Sequence, residues 1–123
     1  MAKTYRDLEV YKEALALFYR SHKLSLKLPK YELYELGSQL RRSSDSIITN
    51  IVEGYGRRKY KGDFLKFLTY AHASNDETIL HLEKITALYP EIIIHEKNLL
   101  EEYDHLGTKI FRFIKYVEES WKT

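Results

Sequence analysis

The chain has no cysteine and few residues that bend or break a backbone: 5 glycines and 2 prolines in 123 residues. Without cysteine there can be no disulfide framework, thiolate zinc site or cysteine nucleophile, and the composition suits a reducing compartment. So few turn formers do not supply the many tight connections of an all-β sandwich. Long hydrophobic runs are also missing. The runs Ala14-Leu15-Ala16-Leu17-Phe18-Tyr19 and Ile92-Ile93-Ile94 are far too short to span a bilayer, and Met1-Ala2-Lys3-Thr4-Tyr5-Arg6-Asp7 has no signal-peptide core. The chain therefore reads as soluble and cytoplasmic, with no membrane role. What is present is apolar residue, 44% of the chain, which is too much for a disordered segment. The length suits one domain, and residues 1–123 are read as such.

Charge is nearly balanced at +2 but unevenly placed. Residues 1–66 hold 14 Lys/Arg against 8 Asp/Glu, and residues 67–123 hold 6 against 10. That division favours either one positive surface or helices of opposite charge that pair with one another.

Helical periodicity runs through the whole chain. Leu8, Tyr11, Leu15, Phe18 and His22 recur at steps of three and four, with Val10, Ala14, Leu17, Leu24 and Leu28 widening the face until Pro29 ends the segment. A second helix is predicted from Glu32 to Gly54, with Leu33, Leu36, Leu40, Ile47 and Ile51 on one stripe. Gly54 or Gly56 is expected to supply a left-handed cap, and a basic loop, Arg57 to Gly62, follows. Asp63 reads as the N-cap of a third helix carrying Phe64, Leu68, Ala71, Asn75, Thr78, Leu82 and Ile85. Pro90 ends it, and the β-branched isoleucines fall in the next connection or in the first turn of the last helix. A last helix carries Leu99, Tyr103, Leu106, Ile110, Phe113 or Ile114, Val117 and Trp121. Four long helices with short connections predict an all-α, antiparallel up-down-up-down four-helix bundle.

Two groups of residues stand out as candidate sites. Gln39, Arg42, Ser46, Asn50 and Glu53 fall within about 80° on the second helix, beside its apolar stripe. Such hydrogen-bonding side chains suit a contact between helices or subunits, or an ordinary half-exposed flank. Arg41, Arg42, Arg57, Arg58, Lys59 and Lys61, interleaved with Tyr55 and Tyr60, form a basic cluster suited to phosphates and to stacked bases, or simply a hydrated loop. Asn75 and Thr78 lie on a core stripe and need buried partners such as Ser43, Ser44 or Asn50. No two of His22, His72, His81, His95 and His105 are three or four residues apart, so neither metal nor other cofactor is expected. No Walker A loop or nucleophile elbow is present, and the chain reads as a non-enzyme.

Residues Leu28 to Tyr34, Ser38-Gln39-Leu40-Arg41-Arg42, Ser46-Ile47 and Asn50-Ile51-Val52-Glu53-Gly54-Tyr55-Gly56-Arg57 together resemble the four-helix-bundle family encoded inside 23S ribosomal RNA intervening sequences. Tyr5 to Tyr11 is similar to that family's opening Phe-Arg-Asp-Leu-x-Val-Trp, and Asp63 to Leu68 with Ala73-Ser74 is similar to its third-helix start. Members are similar to the accessory protein of diversity-generating retroelements, a basic homopentamer that binds nucleic acid and a reverse transcriptase. The resemblance implies a homo-oligomeric ring of five copies, with Gln39, Arg42, Asn50 and Glu53 at matching motif positions, and an RNA or DNA partner. A protein partner without nucleic acid is the competing expectation. Glu35, Val52, Asn75 and Thr78 depart from residues common in the family, Gly, Ala, Leu and Leu respectively.

Overall fold

A computed structural model describes residues 2–122. It is a helical bundle with no strand among the described residues, built from α1 (Glu9–Ser25), α2 (Leu36–Gly56), α3 (Lys61–Leu88), α4 (Pro90–Ile93) and α5 (Leu99–Ser120). Short 3-10 turns at Tyr5–Asp7, Lys30–Glu32 and Ile94–Glu96 fill the connections. No helix among the described residues is long and apolar enough to cross a membrane.

The four long helices close a ring of contacts, α1 on α2, α2 on α3, α3 on α5 and α5 back on α1. Burial follows the predicted stripe most closely on α3, where Phe64, Leu68, Ala71, Asn75, Thr78, Leu82 and Ile85 all lose their solvent contact. On α1 the buried line is rotated from the predicted one. Val10, Ala14, Leu17, Ser21 and Leu24 face the core, while Leu8, Tyr11, Leu15, Phe18 and His22 are half-buried flanks. The serine explains the rotation: Ser21 Oγ lies 2.7 Å from Tyr103 Oη of α5 in the middle of the core, so a polar residue holds a position that periodicity assigns to an apolar one.

The core has two parts. The larger one joins all four long helices, and a smaller aromatic one at one end gathers Tyr55, Phe64, Leu68 and Val117 with half-buried Tyr5, Phe113 and Trp121.

Helix ends differ from the sequence expectation in instructive ways. α1 stops at Ser25, short of Pro29, where Ser25 Oγ donates to His22 O at 2.7 Å and the chain tightens into 3-10 turns. α2 starts at Leu36 rather than Glu32, because the proline-led turn Lys30–Glu32 occupies the intervening residues. Neither Gly54 nor Gly56 caps α2 in a left-handed conformation; both lie within the helix, and no described glycine has positive φ. The helix ends instead where Arg57 N donates to both Glu53 O and Gly54 O. Asp63 is not the N-cap of α3, which begins two residues earlier after Tyr60, but it sits in the first turn where a carboxylate opposes the helix dipole.

The two glycines therefore have different roles. A Cβ at Gly54 would lie 3.2 Å from Phe67 Cβ and 3.3 Å from Phe64 O, so this glycine lets α2 and α3 approach closely. Gly56 faces open space. Gly54→Ala is expected to cost about 1–2 kcal/mol, overpacking outweighing the gain in helix propensity. Gly56→Ala should stabilise by about 0.5 kcal/mol. Urea denaturation of both variants reads the opposite signs.

Candidate functional site

The polar stripe of α2 forms part of a seam with α3. Ser46 Oγ meets Ser74 Oγ at 2.9 Å, and Asn50 Nδ2 donates to Ser46 O at 2.8 Å and to Ser46 Oγ at 3.0 Å. One step deeper, Thr78 Oγ1 donates to Ser43 Oγ at 2.9 Å. Of the expected partners Ser43, Ser44 and Asn50, Thr78 thus bonds the first. Asn75 turns the other way, donating to Tyr103 O of α5 at 2.9 Å rather than to a residue of α2. Towards solvent the seam opens into a groove of about 300 Å³ lined by Gln39, Arg42, Ser46, Ser74, Glu77 and His81. Burial there pushes the His81 imidazole below its usual value, with Lys84 adding to the effect and Glu77 opposing it. Glu53, at the end of the stripe, leaves the seam and accepts from Arg57 Nε at 2.6 Å.

The structure divides the six candidate cations. Arg41 points inward: Nη1 donates to Ser25 Oγ and Nη2 to Leu33 O, both at 2.8 Å, so it ties the α1–α2 connection to α2. Arg42 is exposed on the seam groove. The other four lie at the far end of α2, about 24 Å along the helix at 1.5 Å per residue. Arg57 is held between Glu53 and Asp63, and those two carboxylates, Glu53 foremost, raise its already high pKa. Arg58 lies 4.1 Å above the Tyr55 ring and donates from Nη1 to Tyr55 O at 2.9 Å. Lys59 and Lys61 have no ion-pair partner among the described residues, nor does Lys66 on the next turn. Periodicity could not show that Arg41 is internal, because its partners come from the preceding connection. The acids opposite Arg57 were visible as an i,i+4 pair and a near neighbour.

Other charged groups are paired across the bundle. Arg20 of α1 bonds Glu96 at 3.0 Å and Glu102 at 2.6 Å, and Lys109 of α5 bonds Glu13 at 2.6 Å and Glu9 at 2.9 Å. Basic residues of the first half thus meet acids of the second in one case and the reverse occurs in the other. Contrary to the expectation that the chain has no Glu-x-x-His, the spacing of carboxylate-bridged metal sites, Glu102 and His105 have it. Glu102 is engaged by Arg20, however, and no three His, Asp or Glu side chains converge among the described residues. His72 Nδ1 lies 3.9 Å from Asp76, a loose pair on α3.

These features define a class: an all-helical bundle with a hydrogen-bonded seam between two helices and a cluster of unpaired cations at one end. The family model described as 23S rRNA-intervening sequence protein matches residues 6–112, and the chain belongs to that family. A search of curated proteins finds no match.

Proposed function

We propose that this protein is a non-enzymatic four-helix bundle that self-associates along α2 and α3 and binds RNA or DNA through the cationic end of the bundle. The observation that carries the nucleic-acid reading is the group Arg58, Lys59, Lys61 and Lys66, which has no carboxylate partner among the described residues and stands beside Tyr55 and Tyr60. Cations already neutralised by acids gain little from a phosphate, whereas free ones release counterions when they meet it.

Several side-chain pairs support the antiparallel arrangement. Glu9 and Glu13 early in α1 meet Lys109 midway along α5, and Ser21 near the end of α1 meets Tyr103 near the start of α5. Ser46 and Ser43 of α2 meet Ser74 and Thr78 of α3 in reversed order. Self-association rests on α3, the most apolar and least amphipathic of the long helices. Its outer side exposes Tyr70, Ala73, Leu80, Ala87 and Leu88 among charged residues such as Lys66, Glu77 and Lys84, and that apolar surface is what association would cover. The polar stripe Gln39, Arg42, Ser46, Asn50 and Glu53 borders that side and would supply the directional bonds of an interface. A ring of five copies is the assembly that the family resemblance implies.

Filter binding tests the reading. At low salt a structured RNA or a single strand should bind, with affinity falling steeply as salt rises. Lys59→Glu/Lys61→Glu should weaken binding at least tenfold and reduce the logarithmic salt slope by about 1.4–1.8. Arg57→Gln should have a smaller effect, because Arg57 is already paired. No affinity at low salt would refute the nucleic-acid reading, and a concentration-independent mass of 14.7 kDa by light scattering would refute self-association. A protein-binding scaffold is the second reading. It is favoured by the exposed Leu26, Tyr31, Tyr34 and Leu88 where α1 and α3 end, Tyr31 and Tyr34 being 73% and 80% exposed. Stoichiometric partner binding that survives nuclease and high salt would support it instead.

A further inference from the structure

The end of the bundle that carries the unpaired cations also carries a cleft. It has a volume of about 590 Å³ and is bounded by Tyr55 and Arg58 from the end of α2, Phe113 and Tyr116 from α5, and Trp121 and Lys122 beyond it. We propose that this cleft binds a single unpaired nucleotide of a nucleic-acid strand, its base against the aromatic wall and its phosphate between Arg58 and Lys122. The proposal rests on the nucleic-acid reading above and names the site at which an unpaired base is held.

The wall is aromatic and rigidly supported. Trp121 packs edge-on against Phe64 at 5.1 Å, Tyr116 at 6.3 Å and Tyr55 at 6.5 Å between ring centres. Phe113 and Tyr116 lie nearly parallel, 10° apart in plane, and Tyr116 is 51% exposed. Every base has a π face that such rings can stack on.

The charge at the rim is of one sign. Arg58 is fixed by its bond to Tyr55 O and by stacking on the Tyr55 ring, which leaves most of its guanidinium N–H groups free to donate. Lys122 adds a second cation, and no Asp or Glu lines the cleft among the described residues. Of the two neighbouring acids on α5, Glu118 faces Lys115 at 3.8 Å and Glu119 is exposed outside the cleft lining. Grooves elsewhere on the bundle lack this combination: those along the α1–α5 seam include Glu9, Glu13 or Glu102 in their walls, and the α3–α5 groove includes Asp76 and Asp104. An apolar ring carrying an anion matches the end cleft, whose wall holds cations without acids, whereas the walls of the other grooves each hold at least one carboxylate. The volume lies within the range of small-ligand sites, roughly 300–1,000 Å³.

The chain has a single tryptophan, and it lies in this cleft, so tryptophan emission reports on the site directly. Titrating a short oligoadenylate into the protein should quench Trp121 saturably. An abasic phosphodiester chain of the same length should bind about tenfold more weakly, since it cannot stack. Tyr116→Ala and the pair Arg58→Gln/Lys122→Gln should each weaken the quenching titration about tenfold. Thermal melting of each variant verifies that it is folded. Filter-bound RNA with no change in Trp121 emission would overturn the cleft and leave the nucleic-acid reading intact. Equal binding of the abasic chain would also overturn it. Absence of any quenching by oligoadenylate would likewise overturn the cleft.

Discussion

Gly107→Ala is expected to destabilise the protein by about 3 kcal/mol, even though alanine is the better helix former. Gly107 is buried on α5 where Asn75 of α3 crosses it. A Cβ there would stand 2.8 Å from Asn75 Nδ2, the atom that donates to Tyr103 O at 2.9 Å. Asn75 has no exposed surface, so its amide cannot turn to water when displaced. Its Oδ1 already lacks a partner among the described residues, which leaves the Nδ2 bond as what its side chain has in return for burial. Overpacking costs about 1–3 kcal/mol and an orphaned buried amide about 1–3 kcal/mol, against a helix-propensity gain of about 1 kcal/mol. The sign should reverse in an Asn75→Ala background, where the methyl group enters vacated space and only the propensity gain of up to about 1 kcal/mol remains. Urea unfolding of the four proteins in this cycle measures the coupling. Equal destabilisation in both backgrounds would show that the Asn75 contact is not the cause.

That contact also shows what a sequence pattern can and cannot convey. Position 75 is legible as buried, because it lies on the same three-four stripe as Phe64, Leu68, Ala71, Thr78, Leu82 and Ile85, all of which are buried. Its partner is not legible. Periodicity assigns a residue to a face but not to the neighbouring helix that the face meets, so Asn75 was matched to α2 and bonds to α5. Gly107 gives no signal at all in the sequence, since a helical glycine without positive φ looks like a mere weak point. α1 fails for a related reason. Its sequence offers two overlapping apolar lines, and the one that faces the core contains Ser21, which only the Tyr103 hydroxyl opposite makes suitable for burial.

The candidate site divides in the same way. The stripe Gln39, Arg42, Ser46, Asn50 and Glu53 was readable because five residues at helical spacing define a direction, and Ser46 and Asn50 do bond within the α2–α3 seam. The basic cluster was readable as composition only. Arg41 and Arg57 were counted as cations, but Ser25, Leu33, Glu53 and Asp63 engage them, and three of these four belong to other segments of the chain. The end cleft was not readable, because Tyr55, Phe113 and Trp121 come together only when α2 and α5 finish at the same end of the bundle.

Phe64→Ala should be the most damaging single truncation at that end, costing about 3–5 kcal/mol. Phe64 is fully buried at the first turn of α3 and touches three rings edge-on, Trp121 at 5.1 Å, Phe113 at 5.8 Å and Tyr55 at 6.2 Å. These rings come from α2, from α5 and from the segment after α5, so one side chain fixes their mutual positions. Phe64→Leu retains most of the volume and should cost about 1–2 kcal/mol, the aromatic pairing being the main loss. The variants should also differ in tryptophan emission. In Phe64→Ala the folded state should emit further to the red, because Trp121 loses its closest neighbour and gains water, whereas Phe64→Leu keeps it shielded. Leu82→Ala is the control: Leu82 is equally buried but belongs to the larger core, so it should cost about 2–5 kcal/mol without moving the emission. If Phe64→Ala and Leu82→Ala shift the emission alike, the aromatic end is not a separate unit and the support for the cleft wall is global. If only Phe64→Ala shifts it, the small aromatic core holds the cleft independently of the bundle's main stability.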